Sequence, residues 1–193
     1  MAFEQKIISR PAWGYFRALI QKKDLLRDHL LRLDLDSRRD RFNGFLDDSF
    51  IERYAARCDE DGTLIIGYFV DGLVRGAAEL HPPGGSPDQF PEVAFSVEAS
   101  VRRKGIGTML FRRLIAEARR KGYRALRITT GASNHAMRAL AKKFGARLEF
   151  RRGESTGTLD LNELPQAELA ELATAPIAAG RATLSLSHTR RVR

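Results

Sequence analysis

Val97-Glu98-Ala99-Ser100-Val101-Arg102-Arg103-Lys104-Gly105-Ile106-Gly107-Thr108 joins an alternating apolar run to a long amphipathic pattern through a basic turn that carries two glycines. The fold turns on this stretch. The first four N–H groups of a helix lack intrahelical acceptors and lie at the positive end of its dipole, so an anion placed there meets donors and favourable charge together. Gly105 and Gly107 have no Cβ, which lets the chain bend sharply and an anion approach closely. Arg102, Arg103 and Lys104 add positive charge. A Walker loop needs G-x-x-x-x-G-K-S/T, which the stretch does not contain. A dinucleotide fingerprint needs G-x-G-x-x-G, but Leu110 stands at the third glycine, and the next predicted strand ends Thr129-Thr130-Gly131 without a ribose-binding acid.

The remaining pattern is Arg/Gln-x-x-Gly-x-Gly/Ala, present as Arg102-x-x-Gly105-x-Gly107 between a predicted strand and a predicted helix. It resembles the acyl-CoA motif of the GCN5-related N-acetyltransferase (GNAT) superfamily. Glu92-Val93-Ala94-Phe95-Ser96-Val97 is similar to that family's fourth strand, Ala125 to Thr130 to its fifth, and Asn134 to Gly145 to the helix that follows. The resemblance covers about residues 20 to 161. It implies an α/β (α+β) domain whose mixed, mostly antiparallel central sheet is flanked by helices.

The chain has 193 residues, enough for one domain with a sizeable core but not for a second. No apolar stretch approaches the ~20 residues that cross a bilayer, and Met1 to Lys6 lacks the apolar run of a signal peptide. A cytoplasmic protein with no membrane partner is expected. The single cysteine, Cys58, cannot form an internal disulfide, and with four scattered histidines it makes no metal site; it reads as a small buried side chain. The net charge of +9 is uneven: Val101 to Arg152 holds 16 Lys and Arg against Glu117 and Glu149, a net +14 that leaves −5 for the rest. A solvated helix face accounts for most of that charge, a phosphorylated cofactor for part, and a nucleic-acid partner is an alternative.

From Lys22, Leu25, Leu26, His29, Leu30 and Leu33 recur at helical spacing, and Phe50, Ile51, Tyr54, Ala55 and Cys58 repeat the pattern after Asp48 as N-cap. An edge strand is placed near Ile7. Between the helices, Asp36 to Phe42 is dense in charge and reads as a solvated helix face, with Arg38, Arg39 and Arg41 as candidate substrate contacts. Thr63 to Val70 and Leu73 to Leu80 form a hairpin about the type I′ turn Asp71-Gly72. The Pro/Gly-rich loop from His81 to Pro91 is irregular and forms a wall by the acceptor entrance. Alternation in the next strand sets Val93, Phe95 and Val97 on one side and Glu92, Ala94, Ser96 and Glu98 on the other. Ile106, Leu110, Leu114, Ile115 and Ala118 line one face of the helix after the turn, and Ala136, Met137, Leu140, Ala141 and Phe144 face inward from the next. Strands Arg147 to Arg151 and Gly157 to Leu161 close the sheet around Gly153-Glu154. Residues 1–162 are expected to be the acyl-CoA-binding catalytic domain that the resemblance implies, and 163–193 an Ala-rich, basic tail, partly disordered or loosely docked, with a short helix at Pro165 to Ala173.

Moving an acetyl group from a thioester to an amine requires a held cofactor, a neutral amine, a stabilised oxyanion and a proton for the thiolate. The resemblance implies acetyl-CoA as co-substrate and an amine acceptor, a small molecule or a protein lysine, in a ternary complex. It assigns the cofactor to Val97, Arg102, Arg103, Lys104, Gly105, Ile106, Gly107, Thr108 and Asn134: backbone N–H groups of the turn for the pyrophosphate, Val97 for the pantetheine arm and thioester carbonyl. Asn134 or Ser133 serves equally as a helix cap. Glu92 is the expected base, acting directly or through water, with Glu79, His81 and Glu98 as competitors. Many relatives carry an acidic tyrosine seven residues after the asparagine; Ala141 stands there, so no acid is assigned. A non-catalytic acyl-CoA-sensing module is a further alternative, and the chain is expected to be a monomer or homodimer.

Overall fold

The computed structural model describes residues 14–19, 23–85, 90–151 and 153–164. Along the chain these form β1 (Tyr15–Ala18), α1 (Lys23–Leu31), α2 (Leu35–Phe42), α3 (Asp48–Glu60), β2 (Leu64–Val70), β3 (Leu73–His81), β4 (Glu92–Val97), α4 (Ile106–Arg120), β5 (Ala125–Gly131), α5 (His135–Lys143), β6 (Arg147–Arg151) and β7 (Glu154–Asp160). The strands make one sheet in the order β1-β2-β3-β4-β5-β7-β6. Every neighbouring pair is antiparallel except β4 and β5, which run parallel. The expected mixed, mostly antiparallel sheet flanked by helices is what the chain forms.

Alternation along the strands divides the core in two. On β3, Ala78 and Leu80 face a cluster with Val93, Leu126 and Ile128 under α4 and α5, while Ala77 faces a second cluster with Leu26, Leu30, Ile51 and Ala55 of α1 and α3. Leu110, Phe111, Leu114 and Ile115 of α4 are fully buried, each worth about 1.5–3 kcal/mol of transfer from water. α4 lies so close to β3 that a Cβ on Gly76 would meet Leu110 Cδ1 at 3.4 Å. The Asp71-Gly72 turn has the two positive φ values, 51° and 77°, that a type I′ hairpin requires.

Several expectations are corrected. Among the described residues the edge strand is β1 at Tyr15, paired with Phe69 in register and stacked on its ring at 5.1 Å; the strand expected near Ile7 lies outside them and is not tested. The charged stretch is a helix as expected, α2, capped by Asp34, whose carboxylate accepts from Ser37 N–H, and ended by Asn43 at φ 53°. Arg41 does not join a solvated face: it turns inward to Glu79, which is fully buried. Asp47, not Asp48, caps α3, because its Oδ1 reaches the Phe50 N–H at 2.8 Å. Ala136 is exposed rather than inward, and β7 begins at Glu154, since its register with β5 extends to Gly131. Cys58 is buried as expected. The chain stays attached beyond residue 162, where Arg119 donates to the carbonyls of Leu161 and Leu164; the expected helix at Pro165 to Ala173 and the rest of the tail lie outside the described residues. So does Ser86–Gln89 of the loop, while Phe90 lines a groove along β5, β6 and β7. No helix among the described residues is long and apolar enough to cross a membrane.

Candidate active site

The one parallel pair of the sheet is also its weakest. β4 and β5 are in register only at Glu92 with Arg127 and Val93 with Ile128, and beyond these residues the strands separate. The Glu98 N–H donates to Arg75 O at 2.9 Å, towards β3. Backbone groups alternate sides along a strand, so those of Phe95 and Val97 point the other way, into the gap. Two clefts meet there. One, of about 720 Å³, lies between the start of α4, α5 and α2; the other, about 360 Å³, lies between β4, β5, α2 and α3. They share Asp40, Arg41, Phe95, Asn134 and Met137.

The basic turn forms the floor of the larger cleft. Arg103 at φ 60° and Gly105 at φ 78° put two left-handed residues just before α4, a run of the kind that gathers successive N–H groups into an anion-binding hollow. The first helical hydrogen bond preceding the body of α4 runs from Met109 N–H to Gly105 O at 3.0 Å, and helix geometry leaves the N–H groups of Ile106, Gly107 and Thr108 without intrahelical acceptors. A Cβ on Gly107 would meet Leu140 Cδ2 at 3.7 Å, an ordinary contact, so the glycine leaves room on the cleft side rather than relieving a clash.

Of the residues expected at the cofactor, Val97, Arg102, Arg103, Gly105, Ile106, Gly107, Thr108 and Asn134 line this cleft. Lys104 does not; its Nζ donates to Ser100 O at 3.2 Å. Arg102 is tied to the protein, with Nε donating to Val97 O at 2.9 Å and NH2 to Ser37 Oγ. Asn134 is the N-cap of α5, accepting from Met137 N–H at 2.9 Å, and also bridges to Asp40 O at 3.2 Å. Phe95, Leu140 and the α2 wall of Ser37, Asp40 and Arg41 complete the cleft. Arg41 is among the candidate substrate contacts read from the sequence; Ser37 and Asp40 were missed, although the three stand at i, i+3 and i+4, one side of a helix.

Glu92 lines the smaller cleft, on the same side of the sheet as its cross-strand partner His81 and as Glu79. Its competitors are committed elsewhere. Burial works against charge on Glu79, yet Arg41 NH2 at 2.9 and 3.0 Å from its oxygens and the Tyr54 hydroxyl at 2.5 Å prevail, holding its carboxyl down at about 2. Glu98 is likewise opposed by burial but held at about 2 by His29, Arg75 and Arg32. Carboxylates that acidic are poor proton acceptors. His81 is engaged on both ring nitrogens, by Tyr54 Oη and Thr63 Oγ1, each at 3.1 Å. Tyr54 Oη donates to Glu79, so it accepts from His81 Nε2–H. Cys58, Glu79 and His81 present three ligand atoms within 4.8 Å of one another, but the Arg41 guanidinium already neutralises the carboxylate and burial pushes the Cys58 thiol up to about 12, so these residues suit an ion pair rather than a metal.

The sequence profile of the acetyltransferase (GNAT) family matches residues 30–146. Among solved structures, the GNAT domain of PAT from S. lividans superposes with a TM-score of 0.63 at 18% identity, covering 75% of this chain and 89% of that one. An N-acetyltransferase from Staphylococcus aureus Mu50 gives 0.56 at 23%, covering 77% and 99%. The protein yncA from Salmonella typhimurium, solved with its cofactor acetyl-CoA, gives 0.55 at 20%, covering 78% and 95%. At these identities the likeness is one of fold.

Proposed function

Because the chain belongs to the acetyltransferase (GNAT) family, we propose that it moves an acetyl group from acetyl-CoA to a primary amine by direct attack in a ternary complex. The observation that carries this function is the gap between β4 and β5, where a cleft floored by a helix N-terminus and a cleft holding Glu92 join beside the Val97 N–H. The residues fit the cofactor: free N–H groups at Ile106, Gly107 and Thr108 suit a pyrophosphate, Arg102, Arg103 and Lys143 supply positive charge around it, and the backbone edge of Phe95 and Val97 offers an amide-bearing arm a strand to pair with. When bound, acetyl-CoA supplies an acetyl group activated as a thioester.

The chain's own residues then have three tasks. The Val97 N–H, aimed into the gap, donates to the carbonyl oxygen that gains negative charge. Glu92 takes the proton from the amine, directly or through one water. The walls of α2 and α5 exclude water and hold the reactants together, which is the larger part of the acceleration. Ala141 is buried and has no proton to give, so the departing thiolate is protonated by solvent.

Gly107→Glu places bulk and negative charge at the anion site. It should weaken acetyl-CoA binding by ~100-fold or more in calorimetry while the melting temperature stays close to that of the parent. Unchanged affinity would overturn the cofactor site and the function with it.

A further inference from the structure

The two clefts differ in charge sign. Arg102, Arg103 and Lys143 line the larger, whereas Glu92 and Glu154 line the smaller and Asp40 lines both, in a chain whose net charge is +9. Among the described residues, the only arginine lining the smaller cleft is Arg41, and it is matched by Glu79. Neither Asp40 nor Glu92 has an ion-pair partner among the described residues, and Glu154 is held by a neutral group, Asn43 Nδ2 at 2.8 Å. The carboxylates are therefore available to a cation.

Two further features limit what that cation is. Phe42, Phe95 and Met137 give the cleft apolar wall between the carboxylates, and about 360 Å³ accommodates a short chain rather than a folded segment. Resting on the cleft as the acceptor site, we propose that the acceptor is a short aliphatic diamine or polyamine. One ammonium loses its proton to Glu92 and is acetylated, while Asp40 and Glu154 hold a second ammonium and the methylenes lie along the apolar wall. Electrostatic balance also favours this assignment. A monoamine or an amino acid would leave at least two of the three carboxylates without a cation.

The test is calorimetry on the full chain without acetyl-CoA, using 1,5-diaminopentane, n-pentylamine and 6-aminohexanoate. The diamine should bind ~10-fold or more tightly than the monoamine, since one added charged contact is worth that much, and the aminohexanoate should bind most weakly. Glu154→Gln and Asp40→Asn should each weaken the diamine by ~3-fold or more. A diamine that binds no better than pentylamine, or that fails to bind, overturns the inference. A parallel acetyl-CoA titration separates the two levels: loss of diamine preference with acetyl-CoA binding intact removes only the acceptor class, whereas failure of acetyl-CoA to bind removes the transferase function.

Discussion

Arg41→Met probes the most heavily buried charge in the protein. The Glu79 side chain is fully buried and that of Arg41 is 10% exposed, with the guanidinium touching both carboxylate oxygens. Burial alone would raise the Glu79 carboxyl, yet Arg41, His81 and Tyr54 bring it from 4.5 to about 2; that gap is worth about 3 kcal/mol. The native value lies below the unfolded one, so this contribution is fully present above pH 4.5 and fades as pH falls towards 2. Methionine keeps the apolar stem but strands the carboxylate, so Arg41→Met should cost about 3–5 kcal/mol at pH 7. It should also raise the Glu79 carboxyl above 4.5 in the native state, since burial then acts without its main opponent. Acid protonates it and relieves the strain, so the stability gap between parent and variant should narrow between pH 7 and pH 4. Urea melts at these two pH values measure both effects. A cost below ~1 kcal/mol at pH 7, the size of an exposed pair, or a gap unchanged at pH 4, would refute the network as an essential charge pair. Arg41→Met with Glu79→Gln should recover part of the loss, because no buried charge is then left unmatched.

Glu92→Gln keeps size and hydrogen bonding but removes the basic site, so turnover at neutral pH should fall by ~100-fold or more with acetyl-CoA affinity intact; a steady-state assay of thiol release checks this, and a retained rate would assign the proton elsewhere. Leu110→Ala, at a fully buried position of α4, should cost about 2–5 kcal/mol in urea unfolding. Gly105→Ala forces an L side chain into φ 78° and should lower stability by about 1–2 kcal/mol, readable in the same melts.

Features whose cause is local were legible in the sequence. Asp71-Gly72 specified its hairpin, Gly105 and Gly107 the entry to α4, and Gly122, at φ 82°, its exit. The period-3.6 pattern found the buried face of α4 but not Phe111, because the apolar stripe is wider where Phe95 and Phe144 both pack on that ring in tilted contacts, at 4.8 and 4.6 Å between centroids. Edge strand β1 was missed because four residues offer little alternation and its stability comes from rings on β2. The turn residues of the larger cleft came from a contiguous motif, whereas the wall from α2 comes from residues 37 to 41 and is brought to β4 only by the tertiary fold. The same distance in sequence hid the fates of Glu79 and Glu98. Read as single letters they compete with Glu92; their arginine and histidine partners, 23 to 69 residues away, are visible only once the chain is folded.

The site's position follows from the one irregular choice in the sheet. An antiparallel neighbour can follow a strand to its end, but β5 arrives parallel to β4 after a helical crossover, and its other edge is fully engaged by β7 over seven residue pairs. β5 therefore stays with β7, and right-handed twist carries β4 away with β3 after two pairs. Each strand of the parallel pair is followed by a helix, α4 and α5, and so both helix N-termini open at the end where the strands part. Open α/β sheets place ligands in the crevice beyond the carboxyl ends of parallel strands; here a single parallel pair in an otherwise antiparallel sheet reproduces that crevice locally. One strand of the gap carries the backbone N–H groups of Phe95 and Val97, one helix start carries the glycine turn, and the reverse side of β4 carries Glu92. The glycine turn and the proposed base at the head of the preceding strand thus come to share one gap, because the register between β4 and β5 ends after Val93.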